Sequence, residues 1–487
     1  MPGELTVIVL AAGGGTRMKS KTMKVLHPVA GRSMVGHVLA AVQQVQPRRI
    51  VAVVGHQRDQ VAPHIQSLAP EVLLAVQEEQ HGTGHAVQVA MDAVAAAGEV
   101  PEGTVLVAYA DTPLLEAGSL RRFAEEHEAA QRAVSILSAV VADPFGYGRV
   151  VRNEDGEVEG VVEEKDATDE QRTIQEISSG ILAFDATFLA QALPKLSNDN
   201  AKGEYYLTDT VGLAREAGLH VGAHELDDVL QTEGVNDRVQ LARTGRVMNE
   251  RIVTRWMEAG VTVMDPATTW IDADVVLSPD VTLLPGVQLL GATVVAEDAV
   301  IGPDTTLKDC EVGEGARVVR THAELSVIGP GADVGPYARL RPGSVLGAKG
   351  KIGTFVETKN AQIADGAKVP HLSYVGDAEI GEGSNIGAGT IFANYDGVAK
   401  HRTKVGRYAR TGANNTFVAP VEVGDGAGTA GGTVVRRNVP PGALAVSGGP
   451  QRNLERWAIS KRAGTPQADA AAAALDGVEH LGEEDGE

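Results

Sequence analysis

The C-terminal half of the chain places an apolar residue at every sixth position, and this period restricts the fold more than any other feature. The repeat is carried by Ile271, Leu277, Leu283 and Leu289, by Ile328, Val334, Leu340, Leu346 and Ile352, and by Ile380 and Ile386. Glycine, aspartate or serine follows most of them. A period of six fits neither an α-helix nor a plain strand, whereas it is typical of hexapeptide repeats that form a β-helix. Residues 263–462 are therefore predicted to form such a domain.

Residues 1–234 show a different pattern, in which apolar strand-like runs alternate with amphipathic helix-like stretches. Strands are predicted at 6–10, 50–54, 72–76 and 104–108, and helices at 34–45 and 84–97. This order predicts an α/β domain with a mostly parallel sheet and ligand sites beyond the carboxyl ends of its strands.

Two further segments complete the expected organisation. Residues 235–262 form a long, charged, helix-like stretch that would connect the two domains. Residues 463–487 contain no lysine or arginine and consist mainly of alanine, glutamate and aspartate, so a disordered acidic tail is expected there.

The composition narrows the possible partners and the compartment. A net charge of -21 argues against nucleic acid as a main partner, because phosphate backbones bind basic surfaces. The single cysteine, Cys310, excludes an intrachain disulfide and fits a reducing compartment. The apolar run at 5–12 has no basic stretch before it, and no run reaches the roughly 20 residues of a membrane helix. We expect a cytoplasmic protein that acts on small molecules and binds no membrane.

A glycine loop with two cations follows the first predicted strand. The segment 10–18 reads LAAGGGTRM, and Lys24 lies seven residues beyond Arg17. Glycines let backbone N–H groups approach a phosphate closely, and Arg17 adds a planar double donor. A glycine loop alone is more often a tight β–α turn. The conjunction with Arg17 and Lys24 favours a nucleotide site.

This run resembles the signature of activated-sugar nucleotidyltransferases, with Met23 where that signature has proline. Together with the repeats, residues 6–454 resemble the bacterial family of bifunctional N-acetylglucosamine-1-phosphate uridylyltransferases and glucosamine-1-phosphate N-acetyltransferases. The resemblance implies an α/β Rossmann-like nucleotidyltransferase domain followed by a left-handed parallel β-helix of hexapeptide repeats. It implies acetylation of glucosamine 1-phosphate by acetyl-CoA, then UMP transfer from UTP with release of pyrophosphate. Mg²⁺ and a homotrimer belong to the same expectation.

The resemblance assigns a uridylyl site to the first domain. Arg17 and Lys24 would stabilise charge on the phosphates, and the nucleotide would contact Leu10, Ala11, Ala12, Gly13, Lys24, Gln77, Gly82 and Thr83. Gln77 and Gly82 would bind uracil, since an amide can both donate and accept. The sugar phosphate would contact Tyr109, Asp111, Gly146, Glu163, Ser178 and Asn236. Ser178 stands where the family has asparagine.

Asp111 and Asn236 would also hold Mg²⁺ through oxygen atoms, with substrate phosphates supplying further ligands. Outside their motifs, Asp111 would be a turn residue and Asn236 a helix cap. The metal assignment therefore depends on the motifs Tyr-Ala-Asp at 109–111 and Glu-Gly-Val-Asn at 233–236.

The resemblance assigns an acetyl-transfer site to the β-helix. His371 would be the general base, with Glu357 orienting it, because an imidazole with a pKa of about 6.5 accepts a proton at pH 7. The sugar phosphate would contact Arg341, Lys359, Tyr374 and Asn385. Acetyl-CoA would contact Ala388, Asn394, Tyr395, Ala413, Gly431 and Gly448. The last three replace serine, alanine and arginine, which leaves Arg436, Arg437 and Arg452 as alternative phosphate ligands. A zinc site would need three converging histidines, and His371 and His401 do not supply them.

Two other classes of protein remain as alternatives. The first is a single-activity sugar-1-phosphate nucleotidyltransferase whose hexapeptide domain serves assembly or regulation. It gives no reason for His371, Tyr374, Asn385 and Asn394 to occur together. The second is a non-catalytic assembly subunit, which predicts the loss of Arg17, Lys24 and Asp111. These residues are all present.

Overall fold

The computed structural model describes residues 4–55, 58–449, 451 and 453–483. The N-terminal domain has eleven strands in this part of the chain: β1 Leu5–Leu10, β2 Pro28–Val29, β3 Arg32–Ser33, β4 Arg49–Val54, β5 Leu73–Val76, β6 Thr104–Tyr109, β7 Val134–Val140, β8 Gly148–Arg152, β9 Val158–Val162, β10 Glu176–Asp185 and β11 Val221–Glu225. Its helices are α1 Met34–Gln44, α2 Arg58–Leu68, α3 Thr83–Ala96, α4 Ala117–Ala129, α5 Ala186–Ala192 and α6 Thr210–Glu216. The four strands and two helices predicted from the sequence are confirmed within a residue or so.

The main sheet has the strand order β11-β7-β10-β6-β1-β4-β5, with β8 and β9 attached beside β10. Neighbouring strands are parallel except that β10 runs antiparallel to β6, β7 and β8, and β9 runs antiparallel to β8. Buried residues of α1, α2 and α4 cover one face of the sheet, and those of α3, α5 and α6 cover the other. The carboxyl ends of β1, β4, β5 and β6 therefore meet at one edge, as the α/β pattern predicts.

The C-terminal domain consists of short parallel strands that stack in three rows, consistent with the predicted left-handed β-helix. The rows are called faces one, two and three. Face one contains Thr262–Val263, Thr282–Leu283, Val300–Ile301, Arg317–Val318, Asp333–Val334, Lys351–Thr354, Lys368–His371, Arg410–Thr411, Gly428–Thr429 and Leu444–Ala445. Faces two and three share one curled sheet.

Along that curled sheet the strands of faces two and three alternate, and Glu357–Ile363 and Tyr374–Ile380 each bend across both faces. The strands are Trp270–Ile271, Val276–Leu277, Gln288–Leu290, Val294–Val295, Thr306–Lys308, Glu311–Val312, Thr321–Glu324, Val327–Ile328, Ala338–Leu340, Val345–Leu346, Glu357–Ile363, Tyr374–Ile380, Ile391–Ala393, Thr403–Val405, Thr416–Val418, Val421–Val423 and Val434–Val435.

Successive repeat residues point inward from successive faces, which explains the six-residue period. Ile271 lies on face two, Leu277 on face three and Leu283 on face one, and Leu289 returns to face two above Ile271. All eleven predicted repeat positions are buried. The buried apolar positions continue through less regular coils around Val312. There Glu311 pairs with Val294 of the preceding coil and Val327 of the following coil, and each pair is separated by slightly less than three six-residue repeats.

One coil carries an insertion that the period does not reveal. On face two Tyr374 pairs with Ile391, and Ile391 pairs in turn with Thr416, so the second of these coils contains more residues than the first. The extra residues form an exposed loop at 394–402, closed by a hydrogen bond from the His401 N–H to the Asn394 carbonyl at 2.8 Å.

A long helix, α7 (Arg238–Glu258), connects the domains inside the predicted linker at 235–262. Ile252 and Val253 on α7 belong to the same buried core as the first coils of the β-helix. The helix therefore closes the N-terminal end of the solenoid and is part of its core.

The expectation of a disordered tail is not met over most of its length. After a short helix, α8 (Trp457–Lys461), the structure has a longer one, α9 (Pro466–Glu483). Five successive alanines at 470–474 have the highest helix propensity, and Pro466 occupies the first helical turn, where its missing N–H costs nothing. The compositional argument considered only burial and overlooked this local preference. Residues 484–487 lie outside the described part of the chain.

Helix length and hydropathy together decide whether a helix could span a membrane. None of the helices within the described ranges is long and apolar enough to cross a bilayer.

Candidate active sites

The glycine loop after β1 is shaped around Lys24. Gly15 has a φ of +59°, and a β carbon there would lie 2.5 Å from Cβ of Lys24, so glycine is required for Lys24 to pass beneath the loop. At Gly13 and Gly14 a β carbon would meet nothing within 4 Å. The outer side of the loop is therefore open where a phosphate can approach its backbone.

Four predicted residues of this site form one polar cluster. The Lys24 ammonium group contacts the Asp111 carboxylate and donates to Asn236 Oδ1 at 3.3 Å. The Arg17 guanidinium donates to the same Oδ1 at 2.9 Å. The Val235 N–H donates to the Asp111 carbonyl at 2.9 Å, which fastens the two motifs together. Residues from three distant parts of the sequence therefore converge, as the motifs predict.

The start of α7 fixes the position of Asn236. The Asp237 side chain accepts hydrogen bonds from the N–H groups of Val239 and Gln240, and so caps the helix. The Asn236 N–H in turn donates to Gln240 Oε1 at 2.7 Å. Asn236 is therefore held just before the helix, with its side chain directed at Lys24 and Arg17.

The donor set at this point suits Mg²⁺. Asp111 and Asn236 offer a carboxylate and an amide oxygen that share Lys24 as a partner, and hard oxygen ligands are those that Mg²⁺ prefers. Across the described ranges no group of three or more His, Cys, Asp or Glu side chains is placed to hold a metal ion. Asp111 and Asn236 thus offer two neighbouring side-chain oxygens to an ion at this point.

A cavity of about 610 Å³ opens beside this cluster. All six predicted sugar-site residues line it, together with Arg17 and Thr83: Tyr109, Asp111, Gly146, Glu163, Ser178 and Asn236. The Ser178 hydroxyl accepts a hydrogen bond from the Gly180 N–H at 3.2 Å, within its own turn. Burial and the charges of Glu163 and Asp111 raise the pKa of Tyr109, so its phenol stays protonated.

The predicted uracil-binding residues lie at the same edge of the sheet but outside this cavity. Gln77 is buried and donates to the Gly82 carbonyl at 3.2 Å, with His85 Nδ1 3.1 Å from its amide nitrogen. The Gln80 amide bonds the Ala12 carbonyl and so joins this loop to the glycine loop. Leu10 and Ala11 hold the strand end through backbone bonds to β6 and β4.

The sequence reasoning missed one whole wall of the cavity. Lys202, Glu204, Tyr206 and Thr208 line it from the segment between α5 and α6. Thr208 Oγ1 donates to Glu163 Oε1 at 3.2 Å. Burial, with the charges of Asp166, Glu163 and Glu204, raises the pKa of Tyr206 to about 12. The run KGEYYLTD at 202–209 was the available signal, because it combines charge, aromatic and hydroxyl groups between two helices.

On the β-helix, several predicted acetyl-site residues gather at the edge between faces two and three. Lys359 Nζ donates to both oxygens of Asp377 at 3.3 Å, and the Asn394 amide bonds the same carboxylate. A β carbon on Gly376 would lie 2.7 Å from Asn394 Nδ2 and closer still to the Tyr374 hydroxyl, so these side chains lie together. Arg341 and Tyr395 belong to the same edge, one coil below Lys359 and at the base of the 394–402 loop respectively.

Asp377 and Lys400 are members of this cluster that the sequence reasoning missed. Burial opposes ionisation of Asp377, but hydrogen bonds from Asn360, Asn394 and Lys359 outweigh it and lower the pKa of the carboxyl. Contact with Lys359 lowers the pKa of Lys400. The period already contained a signal, since Asp377 is three repeats beyond Lys359 and therefore one coil above it.

The other predicted acetyl-site residues follow a different edge, between faces one and two. His371 ends a face-one strand, and its carbonyl accepts from the Gly389 N–H at 3.2 Å. Ala388, Ala413 and Gly431 stack above it in successive coils, through bonds from the Asn414 N–H to the Ala388 carbonyl and from the Gly432 N–H to the Ala413 carbonyl. Gly448 follows Ser447, whose hydroxyl accepts from the Val434 N–H at 2.8 Å. Asn385 lies beside Lys368 and Arg410 on face one.

The structure changes the expected surroundings of His371. Within the chain Glu357 forms an ion pair with Arg341 at 3.1 Å. Glu357 lies on face two between Arg339 and Tyr374 of the neighbouring coils, whereas His371 lies at the end of a face-one strand. Arg436 and Arg437 are exposed after the last face-two strand, and Arg452 lies outside the described residues.

Comparison with known proteins decides the family. A MobA-like NTP transferase domain is recognised at residues 7–168. The bifunctional protein GlmU of Pseudarthrobacter chlorophenolicus is 57% identical over 97% of this chain and 96% of its own length. Those of Rhodococcus jostii and Nocardia farcinica are each 56% identical, over 99% and 98% of this chain and 96% and 97% of their own lengths.

The chain belongs to the bifunctional GlmU family. It is accordingly a transferase with a nucleotidyltransferase domain followed by an acyltransferase domain, and the alternative of a non-catalytic subunit is excluded. The two halves of the GlmU-type chain correspond to the two groups of polar residues described above.

The contacts of Asp377 lead to a prediction for this GlmU-type domain. Asp377→Asn should weaken the hold on Lys359 and Asn394, and we expect acetyl transfer to fall about 10- to 100-fold, the cost of a misplaced binding group. The measurement is thiol release from acetyl-CoA, with uridylyl transfer as internal control. The control is the same substitution, Asp365→Asn, on a neighbouring coil. Asp365 lies at the edge between faces three and one, away from Lys359 and Asn394, so acetyl transfer should be unchanged. Equal activity in both variants would contradict the assignment.

Proposed function

We propose that the protein makes UDP-N-acetylglucosamine in two steps. The β-helix domain acetylates glucosamine 1-phosphate with acetyl-CoA, and the N-terminal domain transfers UMP from UTP to the resulting N-acetylglucosamine 1-phosphate. The observation that carries the proposal is the convergence of Arg17, Lys24, Asp111 and Asn236 beside a cavity of about 610 Å³. The two polar edges of the β-helix support the acetyl step.

In the uridylyl step, an oxygen of the sugar phosphate attacks the α-phosphorus of UTP and the bond to pyrophosphate breaks. Arg17 and Lys24 lie where charge develops on the phosphates, and the open backbone at Gly13 and Gly14 can bind the chain of phosphates. Asp111 and Asn236 would hold Mg²⁺, which neutralises phosphate charge when bound. Gln77 and Gly82 would bind the uracil, and Tyr109, Gly146, Glu163 and Ser178 the sugar.

In the acetyl step, the amine of glucosamine 1-phosphate attacks the thioester carbonyl of acetyl-CoA, and the thiol of CoA leaves. His371 would take the proton from the attacking nitrogen. Arg341, Lys359, Tyr374 and Asn385 would bind the sugar phosphate, with Lys400 adding a third cation to Arg341 and Lys359. Small residues at Ala388, Ala413 and Gly431 leave an open column above His371 along which the cofactor would lie, and Asn394, Tyr395 and Gly448 would contribute further contacts.

The distribution of these residues favours a homotrimer. His371 and the column above it lie at one edge of the prism, whereas Lys359, Asp377 and Asn394 lie at the next, so one chain does not bring both groups to one point. In a trimer of β-helices around one axis, the edge of each chain that carries His371 would lie against the edge of its neighbour that carries Lys359. Tyr337 and Phe355, which stack exposed at 5.5 Å below Leu372, give that edge an apolar surface to cover. We place this chemistry in the cytoplasm, where a lone buried thiol such as Cys310 is stable.

The uridylyl assignment predicts that Asp111→Ala abolishes one activity and spares the other. Loss of the carboxylate removes a metal ligand and leaves Lys24 without its anionic partner, so pyrophosphate release should fall at least about 100-fold. Thiol release from acetyl-CoA should continue at the wild-type rate. Asp143→Ala, another loop carboxylate of the same domain, is the control. A folded variant that loses both activities would overturn the division of labour between the domains.

The assignment of His371 predicts a pH effect. Acetyl transfer needs a neutral imidazole, so kcat/KM should fall on the acid side of the pH profile. His371→Ala should slow thiol release about 10²- to 10⁴-fold, with a shallower acid limb. The substrate ammonium also loses a proton, so an acid limb that persists unchanged in the variant belongs to the substrate. Near-wild-type acetyl transfer in His371→Ala would exclude the imidazole as the base.

The assembly predicts complementation between two inactive variants. His371→Ala and Lys359→Ala should each be inactive in acetyl transfer, but co-expressed chains should form mixed trimers in which one of the three sites is intact. Light scattering should give a mass three times that of the chain. No recovered activity in mixed assemblies, or an active monomer, would contradict sites shared between subunits.

A further inference from the structure

Asn249 joins the connecting helix α7 to the first coil of the β-helix. The side chain is buried, its Nδ2 donates to the Thr269 carbonyl at 2.8 Å, and its Oδ1 accepts from the Ile271 N–H at 3.0 Å. Both ends of the amide therefore pair with backbone of the coil, as a neighbouring strand would. At 1.5 Å per residue, about 20 Å of helix separates this amide from Asn236.

A second element reaches the same coil from Lys24. The 3₁₀ turn Lys24–Leu26 leads directly into the hairpin β2–β3, whose Ala30 carbonyl accepts from the Ala273 N–H at 2.8 Å. Arg32 forms an ion pair with Asp274. Gly31 has a φ of +78°, and a β carbon there would overlap the Asp272 carboxylate. The hairpin therefore fits against residues 272–274 only with glycine at its turn.

The two elements are also packed against each other. Val29 of the hairpin, Met34 of α1 and Val235, next to Asn236, form a small buried cluster with Leu241 and Met248 of α7. Met248 also packs against the core of the β-helix. Lys24 and Asn236 are hydrogen-bonded to each other. Lys24 lies just before the hairpin β2–β3 and Asn236 just before α7, and these two elements contact the same coil and share one apolar cluster.

We propose that residues 269–274, in the first coil of the β-helix, set the geometry of the uridylyl site, with Asn249 and Gly31 as positioning residues. The inference rests on the proposed function for the role of Lys24 and Asn236. The acetyltransferase domain is then a structural component of the other active site, although it lends that site no side chain. A loosened coil should change the placement of Lys24 and Asn236 and so reduce kcat, while the contacts that bind UTP stay in place.

The experiment uses the full-length protein and two variants that act on the two elements. Asn249→Ala removes the amide pairing, and Gly31→Ala wedges the hairpin away from Asp272. Each should lower kcat for uridylyl transfer about 10- to 100-fold, with KM for UTP nearly unchanged. Hydrogen exchange of the peptides covering residues 24–29 and 235–241 should accelerate. Acetyl transfer should be preserved. Glu250→Ala, an exposed change at the next position of α7, is the control and should match wild type.

A double variant separates positioning from misfolding. Asp272→Ala added to Gly31→Ala removes the carboxylate that the new methyl group meets, so it should restore part of kcat and slow the exchange. The proposal is overturned if Asn249→Ala and Gly31→Ala both behave like Glu250→Ala, or if the double variant is as impaired as Gly31→Ala. If Asn249→Ala also loses acetyl transfer, the comparison of Gly31→Ala with the double variant decides whether the proposal holds. Absence of uridylyl transfer in wild type would refute the proposed function, and hydrogen exchange would still test the coupling.

Discussion

Pairing of each coil with the one before it is the constraint on which the rest of this molecule depends. The strands of the β-helix are mostly very short, so none is stable alone, and each gains its hydrogen bonds only from parallel neighbours one coil away. Burial of one apolar side chain per face keeps that register, because a slip by one residue would turn it outward. Polar residues occupy outward positions of the strands, such as Glu311 and Arg317, and the edges between faces, where the proposed acetyl-site residues lie. Function in this domain is therefore arranged along edges.

The same logic explains why the acetyl-site residues separate into two columns. Lys359 and Asp377 differ by one coil and meet, whereas His371 is nearer to Lys359 in sequence than Asp377 is and yet belongs to a different edge. In a solenoid, distance along the sequence is a poor guide to proximity. Residues that occupy the same place in successive coils stack on each other and therefore lie close together. A site that needs groups from both edges is most simply completed by a neighbouring prism, which makes assembly a consequence of the chemistry.

Much of this could be predicted from sequence, for identifiable physical reasons. The period located every inward residue at the eleven named positions, since burial on three faces demands it. The glycine loop and its cations were predictable because phosphate chemistry restricts residue type. The wall formed by Lys202, Glu204, Tyr206 and Thr208 was not, because its placement depends on the antiparallel strand β10 and on bonds such as that from the Tyr205 N–H to the His81 carbonyl at 2.8 Å. The ion pair of Glu357 with Arg341 was not predicted for a similar reason, because partners within the chain are set by face and not by sequence distance.

The uridylyl cluster shows how a site for anions can exist in a chain of net charge -21. Lys24 forms an ion pair with Asp111, and Asn236 accepts from both Lys24 and Arg17, so the cations are held in place by the groups proposed to bind the metal. A bound divalent ion would take over the oxygens, and the phosphates would take over Lys24 and Arg17. Such an exchange would replace one set of polar contacts by another. It requires, however, that Lys24 and Asn236 keep their separation while their partners change. A side chain as long as lysine supplies no such rigidity by itself, and the rigidity has to come from the backbone beneath it. The hairpin and α7, both fixed to the first coil of the β-helix, are the elements that can provide it, which gives a physical reason for the two domains to remain in one chain.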